Sequence, residues 1–185
     1  MNAVSPIRDK LKVASVKNKA REMGIEPYML VLLGLNTGLR IGDLLTLKVR
    51  DIVDRDYIMR REMKTGKQTE IRLNPKVLAE LRTLIPKGWD KSRYLFQSPQ
   101  TYEGKKPITR NTAYRWVNEA CRRAGVTEPV GCHTLRKTFG FHNYQQFKDV
   151  ASLMMHFNHS EERVTLRYIG ITQEMINDKM SKFSL

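Results

Sequence analysis

The run PYMLVLLGL, residues 27–35, constrains the fold more than any other stretch of the chain. No charged residue interrupts it, and Pro27 stands at a first helical position, where the missing N–H of proline costs nothing. A helix that is apolar all round has no face to offer water, so it belongs in a core that other elements cover. With 185 residues, 41% hydrophobic and 28% charged, the chain can supply that cover as a single domain, and its composition argues against disorder.

The neighbouring patterns suggest how. Residues 6–23 read as a basic helix. In TGLRIGDLLTLKV, Ile41, Leu44, Leu45 and Leu47 recur at near-helical spacing, which places Arg40 at a helix start beside the glycine of a turn. From Asp51 to Leu73 the short runs IVD, YIMRREM and QTEIRL are separated by the turn-prone DRD and KTGK. Thr69, Ile71 and Leu73 alternate with Gln68, Glu70 and Arg72, as in a half-buried strand, so a small antiparallel sheet is expected. Pro75 opens a helix to about Ile85, and after the loop WDKSRYLFQSPQ and the basic YEGKKP another helix runs from about Thr109 to Ala124. The fold class is mixed α/β (α+β), mainly α-helical.

Charge narrows the partner. The chain carries 33 Lys+Arg against 19 Asp+Glu, a net charge of +14, the charge signature of nucleic-acid binding, with a basic protein of the ribosomal kind as the alternative. On the helix 109–124, Ala113, Val117, Ala120 and Ala124 form a small-residue core stripe that leaves Arg110, Arg115, Arg122 and Arg123 largely outside it. These arginines, with Lys67, Lys105 and Lys106, are candidates for phosphate contact; a merely solvated charged face is the alternative. Cys121 and Cys132 lack CxxC spacing, so neither a disulfide framework nor a thiolate zinc site is indicated, and a reducing compartment fits. MNAVSPIRDKLKV has no apolar signal region, and no stretch approaches the roughly 18 apolar residues of a membrane span, so a soluble cytoplasmic protein is expected.

Candidate chemistry lies in scattered residues. NTGLR ends at Arg40 and HTLR spans His133 to Arg136, each arginine at a probable helix start. Two guanidinium forks from distant segments can clamp the non-bridging oxygens of one phosphodiester. Tyr168 lies nine residues after His159 in FNHSEERVTLRYIGI and is a candidate nucleophile, although a tyrosine packed by its ring at a helix end has the same local sequence. His156 and His159, with Cys132 and His133 upstream, could in principle ligate zinc, but the spacing matches no recurrent zinc pattern.

The strings NTGLRIGDLLTLKVRDI, MKTGK, HTLRKTF and NHSEERVTLRY resemble, in order and spacing, the successive motifs of the tyrosine recombinases, or phage-type integrases. Lys64 follows Arg40 by 24 residues and His159 follows Arg136 by 23. The resemblance covers about residues 20–170 and implies a catalytic-domain fold and a site-specific recombinase of prokaryotic or phage origin. Such an enzyme cuts and rejoins double-stranded DNA through a 3′-phosphotyrosyl intermediate, without metal, cofactor or ATP. It implies that Tyr168 attacks, that Arg40 and Arg136 hold the phosphate, and that Lys64, preferred over Lys67, protonates the leaving oxygen. His133 would bond the phosphate or assist proton transfer, His159 would stabilise the transition state, and Asp43 would orient Arg40 or a neighbouring group. Relaxation of the topoisomerase IB kind, or a non-catalytic DNA-binding regulator, are the alternatives.

Departures from the family pattern carry their own expectations. Phe157-Asn158-His159 stands where Leu-Gly-His is usual, and asparagine tolerates the left-handed turn. Gly140 replaces a small residue such as alanine and should soften its helix. Residues 1–185 read as one catalytic domain with the family's N-terminal core-binding domain absent. Beyond Tyr168, Ile171, Met175 or Ile176, Met180 and Phe183 fall at helical intervals, and the tail 172–185 could dock on a neighbouring protomer of a tetramer on DNA, nucleoid-associated and with accessory proteins as further candidate partners.

Overall fold

A computed structural model describes residues 4–61, 68–99 and 106–184. In chain order the elements are α1 Lys10–Met23, α2 Ile25–Thr37, α3 Ile41–Leu45, α4 Arg50–Val53, β1 Tyr57–Arg61 and β2 Gln68–Arg72. They continue as α5 Pro75–Leu84, α6 Arg110–Arg123, α7 Thr134–Phe147, α8 Val150–Phe157, α9 Glu162–Tyr168 and α10 Gln173–Ser181. The apolar run is the central helix α2, buried from Pro27 to Gly34 and packed against α1, α5, α6 and α7. Each leucine buried there contributes about 1.5–3 kcal/mol relative to exposure. The helix starts at Ile25 rather than Pro27; Pro27 sits within its first turn, where an N–H has no intrahelical acceptor to miss.

Two further expectations need correction. The basic helix begins at Lys10, capped when the Asp9 carboxylate accepts from Leu11 N–H at 2.7 Å, so residues 6–9 are not helical. Their backbone is claimed elsewhere: Ile7 N–H donates to Thr138 Oγ1 at 2.9 Å, and the Ile7 carbonyl lies 2.9 Å from His142 Nε2. The run IVD belongs to α4, a single turn that buries Ile52, not to a strand. The remaining pair forms the antiparallel hairpin β1–β2, with Ile58 opposite Ile71 and both buried.

The second half of the chain builds the site. Thr109 caps α6 by accepting from Thr112 N–H, and Ala113, Val117 and Ala120 are buried along its expected stripe. Leu153, Phe157 and Ile169 form a small second core beneath α7, α8 and α9, with Phe139 and Tyr168 packed against it. Gly140 does more there than soften α7. A Cβ at that position would lie 2.6 Å from Ile169 and 2.8 Å from Phe157, so only glycine lets α7 approach the segments that carry the site.

Candidate active site

Arg136 rises from the first turn of α7 and is 2% exposed. A buried guanidinium needs partners, and it donates to the Gly38 carbonyl and, at 3.1 Å, to the Phe157 carbonyl. Its plane also lies 4.2 Å from the centre of the Phe157 ring. Gly38 can present its carbonyl because it ends α2 in the left-handed conformation, φ 59°, with Phe139 pressed against its Cα. Arg40, the N-cap of α3, is exposed and reaches the same Phe157 carbonyl at 3.4 Å. Two guanidinium groups from opposite halves of the chain therefore converge on one oxygen, an arrangement suited to an anion.

Tyr168 closes α9 beside this pair. Its hydroxyl lies 3.2 Å from His133 Nδ1, and its ring packs edge-on against Phe157 at 5.5 Å and His159 at 5.2 Å. Burial pushes the phenol pKa up, while the charge of Arg136, a hydrogen bond from it and the charge of Arg40 pull the other way. Burial lowers the pKa of His133, and Arg136, Lys137 and Arg40 lower it further. His159 is lowered by burial and by the same two arginines. A neutral His133 can accept the phenolic proton, and the cations stabilise the oxyanion that remains. His159 is pinned by Thr165 Oγ1 at 3.0 Å. It follows Asn158, whose φ of 56° and ψ of 51° make the left-handed turn.

Arg40, His133, Arg136, His159 and Tyr168 are thus brought together. Asp43 is half-buried on α3, with its Oδ2 buried and lacking a hydrogen-bond partner among the described residues. Lys64, Lys67 and Lys105 lie outside the described residues. Sequence reasoning missed Phe157, whose carbonyl and ring organise both arginines; a backbone carbonyl has no signature in a sequence. It also missed Lys137, whose ammonium lies 5.2 Å from the centre of the Tyr168 ring, and Thr165. As for zinc, His156 Nε2 lies 2.8 Å from the Thr37 carbonyl, and the described residues contain no cluster of three His, Cys, Asp or Glu that could hold a metal.

A family model described as the phage integrase family matches residues 10–175. The chain belongs to that family and is a tyrosine recombinase. The Bacillus subtilis "Probable integrase/recombinase YoeC" is 40% identical over 174 residues, covering 94% of this chain and 93% of its own. Tyrosine recombinase XerA of Pyrococcus furiosus is 27% identical over 162 residues, 87% of this chain but 56% of its own length. This recombinase chain thus spans nearly all of one relative and about half of the other. A crystal structure of XerA recombinase superposes with a TM-score of 0.75 at 19% identity, over 98% of this chain and 65% of that one. A lambda integrase dimer bound to a COC′ core site gives 0.69 at 17% identity, covering 100% and 51%. The shared fold is the mainly helical one with a small antiparallel sheet.

The other candidate basic residues of this recombinase differ in what engages them. The Arg110 guanidinium lies over Gly42, where a Cβ would stand 3.0 Å from it. That places Arg110 beside the short helix that Arg40 opens. Arg115 and Lys106 are exposed. Arg122 is committed to Glu119 at 2.8 Å, and Arg123 to the same carboxylate at 2.7 Å. Those two arginines, Arg122 first, hold the Glu119 carboxyl down to about 2. No described helix is long and apolar enough to cross a membrane.

Proposed function

We propose that the protein cuts and rejoins double-stranded DNA site-specifically, with Tyr168 as nucleophile. The phosphate enters where Arg40 and Arg136 converge, and their forks hold its two non-bridging oxygens. The Tyr168 oxygen attacks phosphorus as its proton passes to His133, while His159 stabilises the charge on the phosphate. The bond to the 5′ oxygen breaks, leaving a 3′-phosphotyrosyl link and, after protonation by Lys64 in the role implied by the family resemblance, a 5′-hydroxyl. The phosphodiester energy is kept in the new link, so a second hydroxyl can reverse the step on another strand without ATP.

The observation that carries this reading is the convergence of both guanidinium groups on the Phe157 carbonyl, with the Tyr168 hydroxyl against His133 beside them. Arg110, Arg115, Lys106, Arg122, Lys67 and Lys105 would add phosphate contacts along the duplex, consistent with the +14 charge. Assembly on DNA, as a tetramer, is supported by α10. That helix buries none of its residues, and Met180 and Phe183 are 64% and 70% exposed, as suits a tail that docks on a neighbouring protomer. The test is incubation with a nicked duplex from which the short cleaved product diffuses away. A denaturant-resistant protein–DNA adduct is expected from the wild type and none from Tyr168→Phe; no adduct on a site the protein demonstrably binds refutes the reading.

A further inference from the structure

Residues 4–9, ahead of α1, form neither helix nor free tail. Ser5 N–H donates to the Pro129 carbonyl at 3.0 Å, Ile7 is 2% exposed in the core, and its N–H and carbonyl are taken by Thr138 and His142 of α7. From this anchored strap three contacts run to the neighbourhood of Tyr168. Arg8 donates to the Gly170 carbonyl at 2.9 Å, two residues beyond Tyr168. Pro6 presses on the same glycine, where a Cβ would meet it at 2.9 Å and where φ is +82°. Lys137 donates to the Val4 carbonyl at 2.8 Å while its ammonium lies 5.2 Å from the centre of the Tyr168 ring.

We propose that residues 4–8 are a strap that positions the nucleophile, with Arg8 and Lys137 as its positioning residues. The inference rests on Tyr168 being the nucleophile. Helix α9 is only seven residues long, too short to hold its last side chain by its own hydrogen bonds. The turn that follows is fixed by Ile169 N–H to Thr165 and Ile171 N–H to Leu166, both at 3.0 Å, and the strap clamps that turn from outside. Lys137 ties the other end of the strap to the ring. Arg8 contacts the Gly170 carbonyl and the Phe141 ring, so its effect passes through the Gly170 carbonyl to where the Tyr168 oxygen stands. Misplacing a reacting atom by about 1 Å can cost roughly a hundredfold in rate, and loosening one end of the clamp should cost about tenfold.

The test uses Arg8→Ala, Arg8→Lys and Lys137→Met. Methionine keeps a stem beside the Tyr168 ring but loses the bond to Val4, and it serves as the second variant if Arg8→Ala does not fold. Amide hydrogen exchange over residues 168–171, measured without DNA, should speed up in Arg8→Ala and Lys137→Met and return towards wild type in Arg8→Lys. Adduct formation at saturating protein, on a nicked duplex selected by the wild type from a random-sequence pool, should slow about tenfold in the first two and recover in Arg8→Lys. Unchanged exchange overturns the proposal. So does a loss confined to duplex affinity with the saturating rate intact, which would make Arg8 a phosphate contact. Should Tyr168 not be the nucleophile, wild type yields no adduct that depends on it, whereas the exchange arm still reads the clamp.

Discussion

In the proposed reaction the two arginines share one task from different surroundings, so their removal should separate activity from stability. Arg136 is buried, donates to the Gly38 and Phe157 carbonyls, and stacks on the Phe157 ring. Charge-assisted bonds of this kind contribute about 1.5–3 kcal/mol each, and alanine takes that donor from the Gly38 carbonyl and leaves the Phe157 carbonyl with the long bond from Arg40. Relief of the guanidinium's desolvation offsets part of that, so Arg136→Ala should cost about 3 kcal/mol. For a chain of this size that is a fall of about 6–12 °C in Tm. Arg40 is exposed and makes one long bond at 3.4 Å, so Arg40→Ala should cost under about 0.5 kcal/mol, or about 1–2 °C. Both should lower the single-turnover cleavage rate by about a hundredfold to a thousandfold, as removal of one transition-state donor does. Differential scanning calorimetry and adduct formation on the same preparations check the pair. Equal losses of Tm, or an Arg40→Ala enzyme that cleaves normally, would refute the reasoning.

Other outcomes follow from the same geometry. His133 and His159 have pKa values held below the ordinary 6.5, by burial first and then by the neighbouring cations. The unfolded chain therefore binds protons that the folded one refuses, so their contribution is complete above about pH 6.5 and is lost as pH falls from there through the lowered values. NMR titration of the ring protons should find both midpoints below 6.5 in the DNA-free protein; a midpoint at or above it contradicts the electrostatics. Gly38→Ala must place a Cβ against Phe139 at a φ of 59°, so it should cost at least about 2 kcal/mol and weaken cleavage through the carbonyl that Arg136 uses; an unchanged melting curve would count against it. Asn158→Gly should leave stability within about 0.5 kcal/mol, whereas Asn158→Ala at the same left-handed position should cost about 1 kcal/mol. Deleting residues 172–185 should weaken self-association on DNA by sedimentation while leaving the monomer folded; unchanged association would refute exchange of the tail.

How much of this was legible depended on whether a side chain or the backbone carried the information. The stripe of Ala113, Val117 and Ala120, the alternation through Ile71, the turn at Asn158 and the placing of Arg40 beside Gly38 all follow from local periodicity and turn chemistry, and each is present. The positions of His133, Arg136, His159 and Tyr168 followed from motif order. The non-helical course of residues 6–9 did not, because what holds it is tertiary: Thr138 and His142 take the Ile7 backbone. IVD resembles the strand runs because a short apolar pair, Ile52 and Val53, fits one turn of helix as well as a strand. The Phe157 carbonyl was invisible because every residue has one. Gly140 looked like a weak helix residue and is a packing requirement, set by Phe157 and Ile169 from segments downstream.

In the proposed reaction the phenol of Tyr168, beside His133 and the two converging guanidinium groups, forms the covalent link to DNA. Mass spectrometry of the nuclease-trimmed adduct tests it most directly. A nucleotide 3′-phosphate is expected on the peptide containing VTLRYIGI, with fragmentation placing it on Tyr168. A modification on any other residue, or an adduct that persists in Tyr168→Phe, would contradict it.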